Sequence, residues 1–257
     1  MANPSYRGST TANNTGGLSK AISSPSTTQI GDVLTVVFSG YANGTYSPTP
    51  TLPSGWTLLN QDIQTGSGFT IHAYTAEYVA TAAGATAFTF GTSMTLNAPY
   101  GCDLAMVGAY GQDATTPIDD YQSSSVPNGT TATSPAATAT VGNDLIFCVY
   151  IDGGNTGAIP SLPSGMSSAV AYQDTANGTG IRIGYAALSS SGTTPTYTST
   201  FGETVNPANG VFGTVFTVLV KAPTGGPTPV NLTGISRQQA ANTASLSRGV
   251  LLSSTSQ

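Results

Sequence analysis

The sequence predicts an all-β protein: two tandem antiparallel β-sandwich domains, jelly-roll or immunoglobulin-like, followed by an extended C-terminal tail. Three observations carry this: a turn-rich, low-charge composition, short runs of alternating apolar residues, and an internal duplication. Only 7% of the 257 residues are charged, while hydrophobic residues reach 39% and the chain holds 31 Gly and 16 Pro. Ordinary soluble domains carry roughly 25% charged residues. Disorder is excluded because twelve Tyr, eight Phe and many Val, Ile and Thr occur in short alternating runs, which suit half-buried pleated surfaces. No segment keeps a helical period with caps.

The duplication has an offset near 110 residues through several separate landmarks. Ser24-Pro25 returns as Ser134-Pro135, and Ile30-Gly31-Asp32-Val33-Leu34 as Val141-Gly142-Asn143-Asp144-Leu145. Leu52-Pro53-Ser54-Gly55-Trp56 returns as Leu162-Pro163-Ser164-Gly165-Met166, and Ile71–Ala76 as Ile181–Ala186. Phe90-Gly91 then matches Phe201-Gly202, and Leu104–Tyr110 matches Val211–Val220. Each copy reads as a polar lead-in, an apolar strand, a Pro/Gly corner, an alternating strand, a Thr/Phe strand and a closing apolar strand. At the corners, proline presets φ and glycine supplies positive φ, so the chain can reverse. Trp56 reads as an anchor of the first core, with a sugar-stacking platform as the alternative. Met166 fills the same slot in the second copy. Asp144–Tyr150 and Thr214–Lys221 are apolar on both parities, which predicts central strands covered on both faces.

Residues 1–114 form the predicted first repeat with its N-terminal arm, 115–222 a linker and the second repeat, and 223–257 a Pro/Gly connector and tail. Thr115–Pro135, rich in Ser, Thr and Pro, reads as the linker. The tail contains Arg237 and Arg248 and no acid, whereas all eleven acids lie in the body. With Leu246, Val250, Leu251 and Leu252, the two arginines are the candidate attachment residues.

The net charge of −5 excludes a broad basic field for nucleic acid. Met-Ala-Asn-Pro-Ser-Tyr-Arg is followed by polar residues, so neither a secretory signal nor a membrane span is expected, and synthesis in a cytoplasm is. Cys102 and Cys148 lack metal spacing; they read as buried thiols, with a bridge between them as the alternative. The single histidine, His72, faces Arg182 in the other copy's alignment. A general base does not exchange with a permanent cation, so His72 reads as a solvent-facing strand residue. Glu77 and Glu203 stand in unrelated contexts and make no glycosidase pair. Asp152-Gly153-Gly154-Asn155 lacks the partners of a phosphate or calcium loop and reads as a hairpin turn. Asp113, Asp119 and Asp120 read as solvated carboxylates. No catalytic residue, cofactor or metal ligand is assigned, and the chain is expected not to be an enzyme.

The succession Ile30–Leu34, Pro53–Thr57, Ile71–Ala76 and Ala109–Asp119 resembles β-sandwich modules of bacteriophage virion structural proteins, of head-decoration, fibre or tail-appendage type. The likeness spans the first copy well and the second loosely. It implies a capsid-decorating or head-fibre protein made in the host cytoplasm and carried in the virion. Its expected partners are a major capsid or tail protein and further copies of itself, as in a trimer. The alternative is a tail-fibre or surface adhesion module binding host carbohydrate through Tyr41, Tyr46, Tyr100 and Tyr121. Sequence motifs of this kind describe a fold, not an activity.

Overall fold

Turn residues bracket the alternating runs, and each run becomes a strand in the computed structural model, which describes residues 3–95, 101–154 and 157–224. The first repeat contains β1 (Ser5–Thr15), β2 (Ser19–Ser23), β3 (Val33–Asn43), β4 (Pro50–Thr51), β5 (Thr57–Gly66), β6 (Phe69–Val79), β7 (Ala87–Thr92) and β8 (Gly101–Tyr110). The second contains β9 (Ile118–Val126), β10 (Gly129–Thr133), β11 (Thr138–Ala139), β12 (Leu145–Gly153), β13 (Ser167–Asp174), β14 (Thr179–Ala187), β15 (Gly192–Thr193), β16 (Thr198–Val205) and β17 (Phe212–Val220). The described residues include no α-helix, only a 3-10 turn at Pro207–Asn209. All of them but Thr224 belong to one unit, Ala2–Pro223; Thr224–Gln257 is grouped separately with Met1.

The duplication is visible in the topology. One five-stranded sheet runs β1-β8-β3-β6-β5 and the other β9-β17-β12-β14-β13, every neighbouring pair antiparallel. The segment 115–135 therefore holds β9 and β10, the counterparts of β1 and β2, where composition suggested a linker. Serines and threonines pair at a sheet edge as readily as they fill a loop, so composition alone did not separate the two. Both Pro-Ser-Gly corners close alike. Trp56 N donates to Pro53 O and Met166 N to Pro163 O, each at 3.3 Å, with Gly55 and Gly165 both at φ 83°.

Each wide sheet has two apolar faces. The outer face of the first packs under β2-β7-β4, burying Leu34, Phe38, Tyr74, Phe90 and Trp56. The outer face of the second packs under the β10-β16 and β11-β15 pairs, burying Ile146, Tyr150, Phe201 and Leu219. The inner faces meet in a third, shared core with residues from both repeats, among them Val37, Ile71, Val107, Phe147, Ile183 and Phe216. This explains why all of β12 and β17 is buried. Cys102 and Cys148 lie in different outer cores and are free.

The two sheets are related by an approximate twofold axis along the strands. β1 lies against β13, where Ser9 Oγ donates to Ala169 O at 2.8 Å, and β9 lies against β5, where Ser125 Oγ donates to Asp62 Oδ1 at 2.7 Å. Equivalent positions differ in size: Ala105 matches Phe216, Ala73 matches Ile181 and Thr35 matches Phe147. Large residues on one face meet small ones on the other in the shared core. Close approach is also served by Gly153, where a Cβ would stand 2.6 Å from Ile71 Cδ1 of the other repeat.

Trp56 is 7% exposed, stacked on Tyr78 at 5.4 Å and edge-on to Phe90 at 4.7 Å. It is a core side chain and does not present a sugar-stacking face. Trp56→Ala is expected to cost about 3 to 5 kcal/mol in urea unfolding. Trp56→Met, which imports the residue of the second copy, should cost about half as much, and equal losses would contradict this account.

Candidate functional site

One end of the body gathers every point where the chain enters, crosses or leaves. Ser5 pairs with Tyr110, Val33 with Ala109, and Val220 with both Leu145 and Ile118. Tyr6 of the first repeat stacks on Tyr185 of the second at 4.7 Å, which brings these strand ends together. The chain thus enters at Asn3–Ser5, crosses between repeats through 111–117 and leaves at Lys221–Pro223, all at this end. The opposite end carries hairpin loops.

The entry end exposes large apolar side chains: Ile30 is 72% exposed, Val79 42% and Tyr110 36%. They border a groove of about 340 Å³ with Arg7, Asp32, Gln112 and Asp113 along it. The groove has a rigid wall. Arg7 grips Asp32 with Nε to Oδ2 and Nη2 to Oδ1, both 2.9 Å, and lies 4.2 Å over the Tyr110 ring. Asp32 also accepts the Gln29 backbone N–H at 2.8 Å. The Asp32 bond raises the Arg7 pKa further, so the cation is permanent. Gln112 Nε2 donates to Gly31 O across the groove. A second groove, about 350 Å³, runs past Pro4, Tyr6, Leu145, Ser167 and Tyr185.

The second repeat answers the Arg7–Asp32 pair differently. Arg7 sits at the bulge of β1, and the bulge of β9 carries Asp119. Asp144, equivalent to Asp32, therefore has a carboxylate as neighbour, and Lys221 supplies the cation at 3.4 Å from Asp119 Oδ1. Thr140 Oγ1 donates to Asp119 at 2.5 Å, and Ala222 N donates to Asp144 at 2.7 Å. Burial, with Asp119 beside it, pushes Asp144 up to about 6, and hydrogen bonds from Thr140 hold Asp119 down despite burial. Asp119 is an enclosed, hydrogen-bonded carboxylate at 2% side-chain exposure, where a solvated one was expected.

His72 is fully buried, a correction to its expected solvent-facing position. Its ring nitrogens lie 2.7 Å from Thr92 Oγ1 and 3.1 Å from Gln61 Oε1, and burial lowers its pKa to about 4. It is therefore a neutral, hydrogen-bonded core residue at neutral pH. The outer face of the first sheet is covered, so alternation placed His72 on a face that only looked open. Burial also pushes both thiols up to about 12 and keeps them protonated. Among the described residues, no three of His, Cys, Asp or Glu converge on a metal-sized point, and no helix is long and apolar enough to cross a membrane.

Of the aromatic candidates, Tyr41 belongs to the shared core, where its hydroxyl donates to Gly210 O at 3.0 Å and its ring stacks on Phe69 at 5.3 Å. It is 5% exposed and cannot meet a glycan. Tyr46 is half-buried beside Leu18 and Met94, and Tyr121 is 40% exposed. Tyr100 lies outside the described residues, as do Arg237, Arg248, Leu246, Val250, Leu251 and Leu252. The Ile30, Val79 and Tyr110 patch was not singled out from the sequence. Its signal was Ile30, an isoleucine between Gln29 and Gly31 ahead of the alternating run. Comparison with known proteins finds no matching family, curated protein or solved structure.

Proposed function

We propose that this chain is a bacteriophage virion structural protein, of capsid-decorating or head-fibre type, anchored to the particle by a terminal segment. The observation that carries the reading is polarity. The chain enters and leaves the body at one end, and that end exposes Ile30, Val79 and Tyr110 beside a groove. A body attached there projects its loop-bearing end outward. The sequence that follows Lys221 carries Arg237 and Arg248 and no acid, while every acid of the chain lies before it. Steering toward an acidic capsid surface follows from that division of charge. The function is mechanical: three stacked cores make a stiff spacer, and the low charge permits further copies to pack side by side. A major capsid or tail protein is the partner.

The test is a deletion of residues 224–257 in particles assembled with the shortened chain. The body should unfold at an unchanged temperature yet be absent from purified particles. Full incorporation of the shortened chain would overturn the reading.

The adhesion alternative keeps one supporting observation, the partial exposure of Tyr46 and Tyr121. Saturable binding of the body to host polysaccharide, lost in a Tyr46→Ala, Tyr121→Ala double variant, would favour it over decoration.

A further inference from the structure

The turn between β13 and β14 reads Asp174-Thr175-Ala176-Asn177-Gly178. Asp174 Oδ1 accepts the backbone N–H of Ala176 at 2.8 Å and of Asn177 at 3.3 Å, which folds Asn177 inward to 1% exposure. There it meets β8 of the other repeat. Its Nδ2 lies 3.1 Å from Asp174 Oδ2, 3.3 and 3.4 Å from the two Asp103 oxygens, and 3.5 Å from Cys102 O. An amide has two hydrogens to give, and four oxygens converge on it at the long end of hydrogen-bond range. Oδ1 of the same amide is buried with no partner. Which amide atom faces the oxygens is set by the surrounding network, and turning the group over brings a fifth oxygen to the same point.

The twofold relation supplies an internal control. Asp103 is matched by Thr214, Tyr172 by Asp62 and Asn13 by Ser125. In that equivalent place a single carboxylate, Asp62, accepts from Gln64, Thr214 and Ser125, each at 2.7 Å, and Gln64 also reaches Gly213 O at 2.8 Å. Donors and acceptors balance there. At Asp103 and Asp174 two carboxylates share that place, the Thr179 side chain also hydrogen-bonds Asp103, and Asp103 is fully buried. The ion pairs of Arg7 and Lys221 lie at the opposite ends of these strands.

We propose that Asp103, Asp174, Asn177 and the Cys102 carbonyl form a calcium site that clamps the two repeats together. The donors are all oxygens: two from Asp103, one from Asp174, one from Cys102 and Oδ1 of Asn177. Calcium takes six to eight such ligands with flexible geometry, so water completes the shell. Tyr172 donates to Asp103 Oδ1 at 3.3 Å and Asn13 Nδ2 to Asp174 Oδ2 at 2.5 Å, which fixes how the carboxylates point. Cys102 and Asp103 come from the first repeat and Asp174 and Asn177 from the second, so the site requires the assembled seam.

The test is thermal unfolding of the full chain, stripped with chelator and titrated with calcium chloride at pH 7.5. Saturation should raise the midpoint by about 5 °C, the size expected for tight, native-only binding in a body this large. Terbium should bind with luminescence sensitised by the adjacent tyrosine. Both responses should vanish in Asp103→Thr, which imports the residue of the equivalent position and retains a cooperative transition, and in Asp174→Asn. No calcium shift in the wild type, or a shift that survives in both variants, overturns the proposal. So does a midpoint that rises only with acidification through pH 7 and ignores calcium.

Discussion

In chelator, unfolding should require the most urea near pH 4 to 5 and progressively less up to about pH 8, by several kcal/mol in all. The cause is a set of enclosed aspartates. Asp152 is fully buried with neither carboxylate oxygen hydrogen-bonded, and burial, reinforced by Glu203, pushes it up to about 8. Asp103 and Asp144 are pushed up to about 7 and about 6 in the same way. Each has a folded pKa above its unfolded value, so the folded state holds more protons between the two. Stability is therefore greatest below that interval and falls as pH rises through it. His72 acts in the other direction, since its folded pKa of about 4 lies below the unfolded one, and its contribution is lost as pH falls from about 6.5 to 4. The three aspartates, joined by Glu77, which burial also raises, outweigh His72 in the overlap, and above pH 6.5 His72 no longer opposes them. Asp119 and Asp174, held low, set the acid limb below pH 4. Asp152→Asn should gain about 3 to 4 kcal/mol on wild type between pH 5 and pH 8. A flat profile in wild type, or no such gain in the variant, would falsify the assignment.

Phe216→Ala should lower the unfolding free energy by about 4 kcal/mol and shift the transition reported by Trp56 fluorescence equally. Phe216 is fully buried in the shared core and belongs to the second repeat, whereas Trp56, the single tryptophan, sits in the outer core of the first. If the repeats unfolded independently, the Trp56 signal would not move. The shared core predicts that both halves lose their inner faces together, because either half alone would expose one whole apolar sheet face to water. The same argument explains the unequal sizes across the twofold. With Ala105 opposing Phe216 by position, two first repeats would leave cavities and two second repeats would crowd, so the tandem order selects the mixed pair.

How much of this was legible depended on whether a residue's role was local. The Pro-Ser-Gly corners, the strand-start pair Asp32 and Asp144, and the apolar β12 and β17 were readable because turn geometry and alternation are properties of neighbouring residues. Full burial of β12 and β17 even announced a second covering layer. The edge strand β9 was missed because a serine-rich edge has the composition of a loop. His72 was placed on the wrong side because alternation separates two faces and cannot say that both are covered.

The sequence by itself determined the all-β class, the duplication and its landmarks, since these follow from periodicity and turn chemistry within short windows. Only the tertiary structure decided that the two repeats share a third core, that Tyr41 serves it, and that Asp103 meets Asp174 and Asn177 across the seam. Those pairings join residues some 70 positions apart or more. Their partners are set by how two twisted sheets stack, which no local pattern encodes.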